Sequence, residues 1–241
     1  MPVALITGGS AGLGRALATA LAGSGWDLVL DARHAAPLAE AVDGLAGAGR
    51  IIGLPGDVAD PVHRGRLADA VTGLGRLDLL VNNASTLGPT PLPALAEIEL
   101  AALDLIYEVN VLAPLGLIQL LLPTLLRSDG VLLSLSSDAA VASYPGWGGY
   151  GSAKAALDHL TATLAAEQPG LHCYAVDPGD MRTAMQQAAF PGQDISDRPL
   201  PESVLPGLLE LLASRPASGR YRATDFGRAA PDLPKLTGAN R

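Results

Sequence analysis

Near the start of the chain, Val3-Ala4-Leu5-Ile6-Thr7-Gly8-Gly9-Ser10-Ala11-Gly12-Leu13-Gly14-Arg15 joins a short apolar run to a glycine-rich turn and the beginning of a helical pattern. That order decides the fold class. An apolar run of this length suits a buried strand. Gly8 makes the turn off it, Gly12 lets backbone approach a diphosphate, and Gly14 lets the next helix pack closely. Free N–H groups at the positive end of that helix then face the anion. The residues Gly8-Gly9-Ser10-Ala11-Gly12 also satisfy the G-x-S-x-G pattern of serine hydrolases, with Ser10 as nucleophile. Those enzymes draw an oxyanion-hole N–H from a loop after an earlier strand, and only one strand precedes Ser10, so nucleotide binding is preferred.

Outward from this turn the pattern repeats. Apolar runs at Val3–Thr7, Leu28–Ala32, Ile51–Leu54, Leu77–Val81, Val131–Leu135, Leu171–Val176 and, more weakly, Gly219–Ala223 read as strands. Helical spacing fills Leu13–Leu21, Leu38–Leu45, Val62–Leu74, Leu95–Leu126, Gly151–Glu167 and Val204–Leu212. Parallel strands need long crossovers, and continuous apolar strands need cover on both faces. The expectation is an α/β fold of Rossmann type: a doubly wound, seven-stranded parallel sheet with helices on both faces, residues 1–241 forming one domain. The least regular stretch, Gln186 to Glu202, suits a binding loop, with residues 184–201 shaping the substrate pocket. The tail from 228 to 241 is read as irregular.

Composition narrows the function classes. The 241 residues are 49% hydrophobic and 17% charged, with one cysteine and a net charge of −8. A core of this size needs no disulfides, and the lone Cys173 points to a reducing, cytoplasmic setting. The acidic balance, without a Lys/Arg cluster, argues against nucleic acid. The longest apolar segment, Val111 to Leu126, is shorter than the ~20 residues of a spanning helix and contains Pro114 and Pro123, so no membrane is expected. His34, His63, His159 and His172 show no metal-ligand spacing.

The second strand ends Leu28-Val29-Leu30-Asp31-Ala32-Arg33, where the adenosine ribose of a dinucleotide is read. A carboxylate there accepts from the ribose hydroxyls; an arginine pairs with a 2′-phosphate. Asp31 and Arg33 point to the same face by strand alternation, so register does not choose between them, and Arg33 is equally readable as a solvated loop charge.

Tyr150 and Lys154 lie one helical turn apart, and Lys154 is one of only two lysines in the chain. Ser137 follows a strand end, where open α/β sheets place their sites. An ammonium about 4 Å from the phenol, at an effective dielectric of ~20, favours phenolate by up to ~4 kcal/mol and is expected to bring Tyr150 near neutrality. Ser137 then holds a carbonyl or alcohol oxygen while Tyr150 moves the proton.

With these residues in place, the chain from Val3 to about Thr183 resembles the short-chain dehydrogenase/reductase family, in its single-domain branch. Thr7-Gly8-x-x-x-Gly12-x-Gly14 is similar to the family's cofactor loop, Asp57-Val58 to its adenine-contacting pair and Asn82-Asn83-Ala84 to its Asn-Asn-Ala-Gly segment. Asn110, Ser137, Tyr150 and Lys154 match its catalytic tetrad, and Asp177-Pro178-Gly179 with Thr183 its turn beside the nicotinamide. The resemblance implies hydride transfer between a nicotinamide and a carbonyl or secondary alcohol of a small molecule. Tyr150 would be the general acid/base and Ser137 the oxygen anchor. Lys154 would hold the nicotinamide ribose, and Asn110 would anchor a proton-relay water. Thr7, Gly8, Ser10, Gly12, Leu13, Gly14, Asp57, Val58, Asn83, Ala84, Pro178, Gly179 and Thr183 fall to cofactor binding with Tyr150 and Lys154. An arginine after the second strand favours NADP(H) over NAD(H), with Arg33 on the 2′-phosphate and Arg15 in support.

The chain departs from the pattern at Ser85, where the family has glycine, at Ala11, and in the closing stretch from Ser218. The alternative function is a dinucleotide-binding sensor that kept the fold and lost turnover. Leu115 to Leu126 is apolar around most of its circumference and suggests a homodimer or homotetramer contact.

Overall fold

A computed structural model describes residues 1–45 and 49–227, and the tail read as irregular lies outside these residues. Each of the seven apolar runs forms a strand: β1 (Val3–Ile6), β2 (Asp27–Ala32), β3 (Ile51–Pro55), β4 (Leu79–Asn82), β5 (Val131–Leu135), β6 (His172–Asp177) and β7 (Gly219–Arg222). All pairings are parallel, in the order β3-β2-β1-β4-β5-β6-β7. The order reverses between β1 and β4, and such a switch point opens a crevice at the carboxyl ends of the strands.

Strand alternation divides the core into two layers. Ala4, Ile6, Leu28, Leu30, Val81, Leu133 and Tyr174 pack on one face of the sheet. Helices α1 (Gly12–Gly23), α2 (Ala35–Asp43) and α8 (Leu205–Ser214) cover it through residues such as Leu17, Leu38 and Leu208. Val3, Leu5, Val29, Leu80, Leu132 and Cys173 turn to the other face, where α3 (Pro61–Leu74) and a long helix contribute Leu67, Val71, Leu117 and Leu121. Full burial of each leucine stabilises the fold by about 1.5–3 kcal/mol. Cys173 is a buried free thiol, pushed up to about 12 by that burial.

The segment read as one helix from Leu95 is subdivided. It comprises α4 (Leu100–Tyr107), a π-helical turn (Glu108–Leu112) and α5 (Ala113–Arg127). Together they run for 28 residues, long and apolar enough to cross a membrane by length and composition, and so exceed the stretch judged too short from sequence. Here half of the most apolar window is buried within the fold. Asn110 sits in the π turn, which re-aims side chains relative to a regular helix. After α6 (Gly148–Glu167), the segment read as irregular contains α7 (Ala184–Ala189), capped by Thr183 Oγ1, which accepts the Gln186 N–H at 3.2 Å. That local cap turns part of the expected loop into helix.

Candidate active site

The glycine turn is held from two sides. Gly8 adopts φ +67° and donates its N–H to Asp31 Oδ1 at 2.7 Å, and Gly9 N–H donates to the Asp31 carbonyl at 2.8 Å. Just beyond β4, Asn83 Nδ2 donates to the Thr7 and Gly8 carbonyls at 2.7 and 3.1 Å. Thr7 Oγ1 accepts the N–H groups of Asn83 and Ala84, each at 3.0 Å. A Cβ on Gly14 would fall inside contact distance of the Gly8 carbonyl oxygen and 2.5 Å from Asn83 Nδ2. Thr7 and Gly14, assigned to cofactor contact from sequence, therefore build the cradle from behind and do not line its cavity.

That cavity encloses about 360 Å³ at the strand ends. Gly8, Ser10, Gly12, Leu13, Asp57, Val58, Asn83, Ala84, Pro178 and Thr183 line it. At its edge Ala11 precedes α1 without a side-chain cap, and no acidic residue occupies the first turn. The helix-end N–H groups are thus left for an anion, and a Cβ on Gly12 would meet only the Thr183 side chain, at 3.5 Å or beyond. These residues fit a dinucleotide diphosphate.

The structure separates the two ribose candidates. Asp31 is 2% exposed, and its carboxylate is engaged by Gly8 N–H and by His63 Nε2, 3.3 Å from Oδ2. Arg33 is exposed at the cavity and enters no ion pair among the described residues. Arg15 does not line this cavity; its Nη1 lies 3.3 Å from Glu40 Oε1 at the surface.

A second cavity of about 440 Å³ adjoins the first, sharing Ser136, Tyr150, Pro178, Met181, Thr183 and Met185. Gly179 lines this one alone. Ser137 and Tyr150 border it, and Leu87, Trp147 and Phe190 form apolar wall. Trp147 meets the Tyr150 ring edge-on at 5.8 Å. From the 184–201 segment Met185, Gln186 and Phe190 line this pocket, whereas Ile195 is buried elsewhere and Leu200 faces solvent.

Ser137, Tyr150 and Lys154 of the tetrad converge where the cavities meet, with Asn110 behind them. Ser137, at the end of β5, donates to Asp138 Oδ1 at 3.1 Å and accepts Ala139 N–H at 3.2 Å. Lys154 is buried, donates from Nζ to the Leu135 carbonyl at 2.8 Å and stands 5.5 Å from the Tyr150 ring centroid. Asn110 is enclosed and lines neither cavity: Oδ1 accepts from Ser85 Oγ at 3.0 Å and Thr86 N–H at 2.9 Å, and Nδ2 donates to the Thr86 carbonyl at 2.8 Å.

Burial sets the protonation states. It pushes Tyr150 up to about 12, against hydrogen bonding from Ser85 and Ser137 that lowers it, with Asp177 and Asp138 adding to the rise. The expectation of a near-neutral tyrosine is corrected: loss of water outweighs those hydroxyls, and the ammonium points to a carbonyl. Burial lowers Lys154 to about 8, with the Asp158 carboxylate acting in the opposite sense. Tyr150 is therefore a protonated donor at neutral pH, flanked by a hydroxyl and a cation.

Some contacts had no counterpart among the sequence motifs. Ser85, noted only as a departure, donates from Oγ to Asn110 Oδ1 and is one of the two hydroxyls that lower Tyr150 against the effect of burial. The His63–Asp31 contact beneath the glycine turn and the Arg220 contacts to Ser137 and Asp158 join residues 32 to 83 positions apart.

Comparison with known proteins decides what this arrangement is. The sequence profile described as short chain dehydrogenase matches residues 2–194. The chain is a short-chain dehydrogenase/reductase. It is 35% identical over 187 residues to an uncharacterised oxidoreductase of Saccharomyces cerevisiae, covering 76% of this chain and 72% of that one. With mouse sepiapterin reductase it shares 33% over 202 residues, 78% and 77% of the two chains. A short-chain dehydrogenase structure from Pseudomonas syringae superposes with TM-score 0.86 at 32% identity, covering 92% and 94%. One from Shigella flexneri, complexed with NADP, gives 0.84 at 28%, covering 92% and 97%. As a short-chain dehydrogenase/reductase, the protein is an NAD(P)-dependent oxidoreductase acting on CH–OH or C=O groups. Membership in this family also sets aside the hydrolase reading of Ser10.

Proposed function

We propose that the protein is an NADP(H)-dependent carbonyl reductase for a small substrate with an apolar body. The observation that carries the cofactor choice is the burial of Asp31. Its carboxylate is engaged by Gly8 and His63, which leaves Arg33 as the free charged side chain at the ribose end of the cavity. A guanidinium there suits a 2′-phosphate. The cofactor, when bound, supplies the hydride.

The chain's own groups handle the oxygen. The Ser137 hydroxyl donates to the substrate oxygen, and the Tyr150 hydroxyl delivers its proton as negative charge develops there. Lys154, charged below about pH 8, stabilises the phenolate left behind. Leu87, Trp147 and Phe190 exclude water from the reacting carbon.

Fluorescence titration tests the cofactor choice. NADPH is expected to bind more tightly than NADH, and Arg33→Ala to weaken NADPH by about 10- to 100-fold, the loss of a charge-assisted contact worth about 1.5–3 kcal/mol, while sparing NADH. Tighter NADH binding by the wild type would falsify the assignment.

We further infer a cytoplasmic homodimer or homotetramer, acting without nucleic acid or membrane partners. Leu105, Leu112, Leu120 and Leu126 stand 40–52% exposed along α4, the π turn and α5, an apolar row suited to a second copy. The net charge of −8 opposes nucleic acid. Equilibrium sedimentation should return a multiple of the 24.5 kDa chain mass; a single-chain mass would refute the oligomer.

A further inference from the structure

Beyond residue 194, where the match to the family profile ends, one side chain reaches into the tetrad. Arg220 stands on β7, in register with Ala175 of β6. Its Nη2 donates to the Ser137 carbonyl at 2.8 Å, and its Nε donates to Asp158 Oδ2 at 2.9 Å. Asp177 Oδ2 lies 3.8 Å from the same Nη2. Asp158 also accepts from Ser136 Oγ at 2.7 Å, and Asp177 accepts the Gly179 N–H at 2.9 Å. One guanidinium thereby ties together the end of β5, helix α6 and the turn after β6.

We propose that Arg220 is a positioning residue of the active site, fixing the Ser137 peptide and the Asp158 carboxylate, which lies one helical turn beyond Lys154. The proposal rests on the oxidoreductase reading of the site. Ser137 has extended backbone (φ −158°, ψ 159°) just before a 3₁₀ turn, so the direction of its hydroxyl depends on the peptide that Arg220 grips. The planar fork delivers two hydrogen bonds in set directions, which a lysine ammonium does not reproduce. Arg220 also partly neutralises Asp158, whose carboxylate favours the charged form of Lys154. Lys154 is further surrounded by Tyr150 on its own helix and the Leu135 carbonyl of β5, with Asp177 of β6 beyond Arg220.

The test compares Arg220→Met and Arg220→Lys with the wild type, under NADPH-dependent reduction of a carbonyl panel from pH 6 to 10 at about half-unit steps. In the wild type, kcat/KM should fall as pH rises through about 8, where Lys154 loses its proton. Arg220→Met should lower kcat about tenfold or more and leave the KM for NADPH near the wild-type value. Its alkaline limb should move to higher pH, because an unpaired Asp158 holds the ammonium more strongly. Arg220→Lys should keep the wild-type limb and recover only part of kcat.

Unchanged kcat in Arg220→Met overturns the proposal. So does a fall in kcat matched by an equal loss of NADPH affinity with the limb unmoved, which is a general structural effect. The pH dependence of NADPH binding, followed by fluorescence, reads the Lys154 ionisation without turnover. A wild type that reduces no carbonyl compound refutes the functional reading; an unshifted binding profile in Arg220→Met refutes the role of Arg220.

Discussion

Tyr150→Phe lowers kcat for carbonyl reduction by about 10²- to 10⁴-fold, the range contributed by a positioned general acid. The fold should survive, because phenylalanine keeps the ring against Trp147 and beneath Lys154. What disappears is one hydroxyl, its hydrogen bonding to Ser85 and Ser137, and the proton it carries. Loss of that hydrogen bonding costs about 1 kcal/mol of stability, far less than the catalytic loss. NADPH binding should stay near the wild-type value, since the glycine turn and Arg33 are untouched. The decisive measurement is kcat beside NADPH affinity on the same preparation. Turnover retained within a few-fold would remove Tyr150 from proton transfer. A wild type that binds NADPH yet turns over no carbonyl compound would favour a sensor.

Gly14→Ala is expected to damage the cofactor cradle and the fold together. In an open helix position, alanine in place of glycine stabilises by about 1 kcal/mol. Gly14 is not such a position, because its Cβ would enter the space of the Gly8 carbonyl oxygen and stand 2.5 Å from Asn83 Nδ2. Overpacking of this kind destabilises by about 1–3 kcal/mol, enough to outweigh the propensity gain in most of that range. Net of that gain about 0–2 kcal/mol remains, and at about 2–4 °C per kcal/mol for a chain of this size the melting temperature should fall by up to roughly 8 °C. NADPH affinity should fall as well, since Gly8 must move and its bond to Asp31 moves with it. Gly23→Ala, at the other end of α1 where a Cβ meets nothing within 4 Å, is the control and should not lower the melting temperature. Wild-type melting and NADPH affinity in Gly14→Ala would show that the turn relaxes freely.

Most of the fold was legible because its signals are local. The first and fifth strands, Val3–Ile6 and Val131–Leu135, are short apolar runs bounded by breakers, and the structure keeps them nearly residue for residue. The Tyr150–Lys154 spacing survives because one helical turn is a property of the helix alone. The helix at Ala184–Ala189 was not legible, since it is short and its start depends on a single cap at Thr183. Nor was the π turn at Glu108–Leu112, whose apolar pattern continues through α5 without a break.

By itself the sequence determined the βα alternation, the glycine turn and the order of the tetrad residues, since each is written in periodicity or spacing over a few positions. Only the tertiary structure distinguishes the surroundings of Asp31 and Arg33, which alternation places on one face; Gly8 and His63 engage the first, and the second is exposed at the cavity. Only burial shows that Tyr150 is pushed above the ordinary phenol value rather than toward neutrality, because the loss of water around a phenol depends on every element packed over it. Arg220 meets Ser137 across 83 residues of chain. Such contacts exist once seven parallel strands bring their carboxyl ends to one edge, and no local pattern along the chain encodes them.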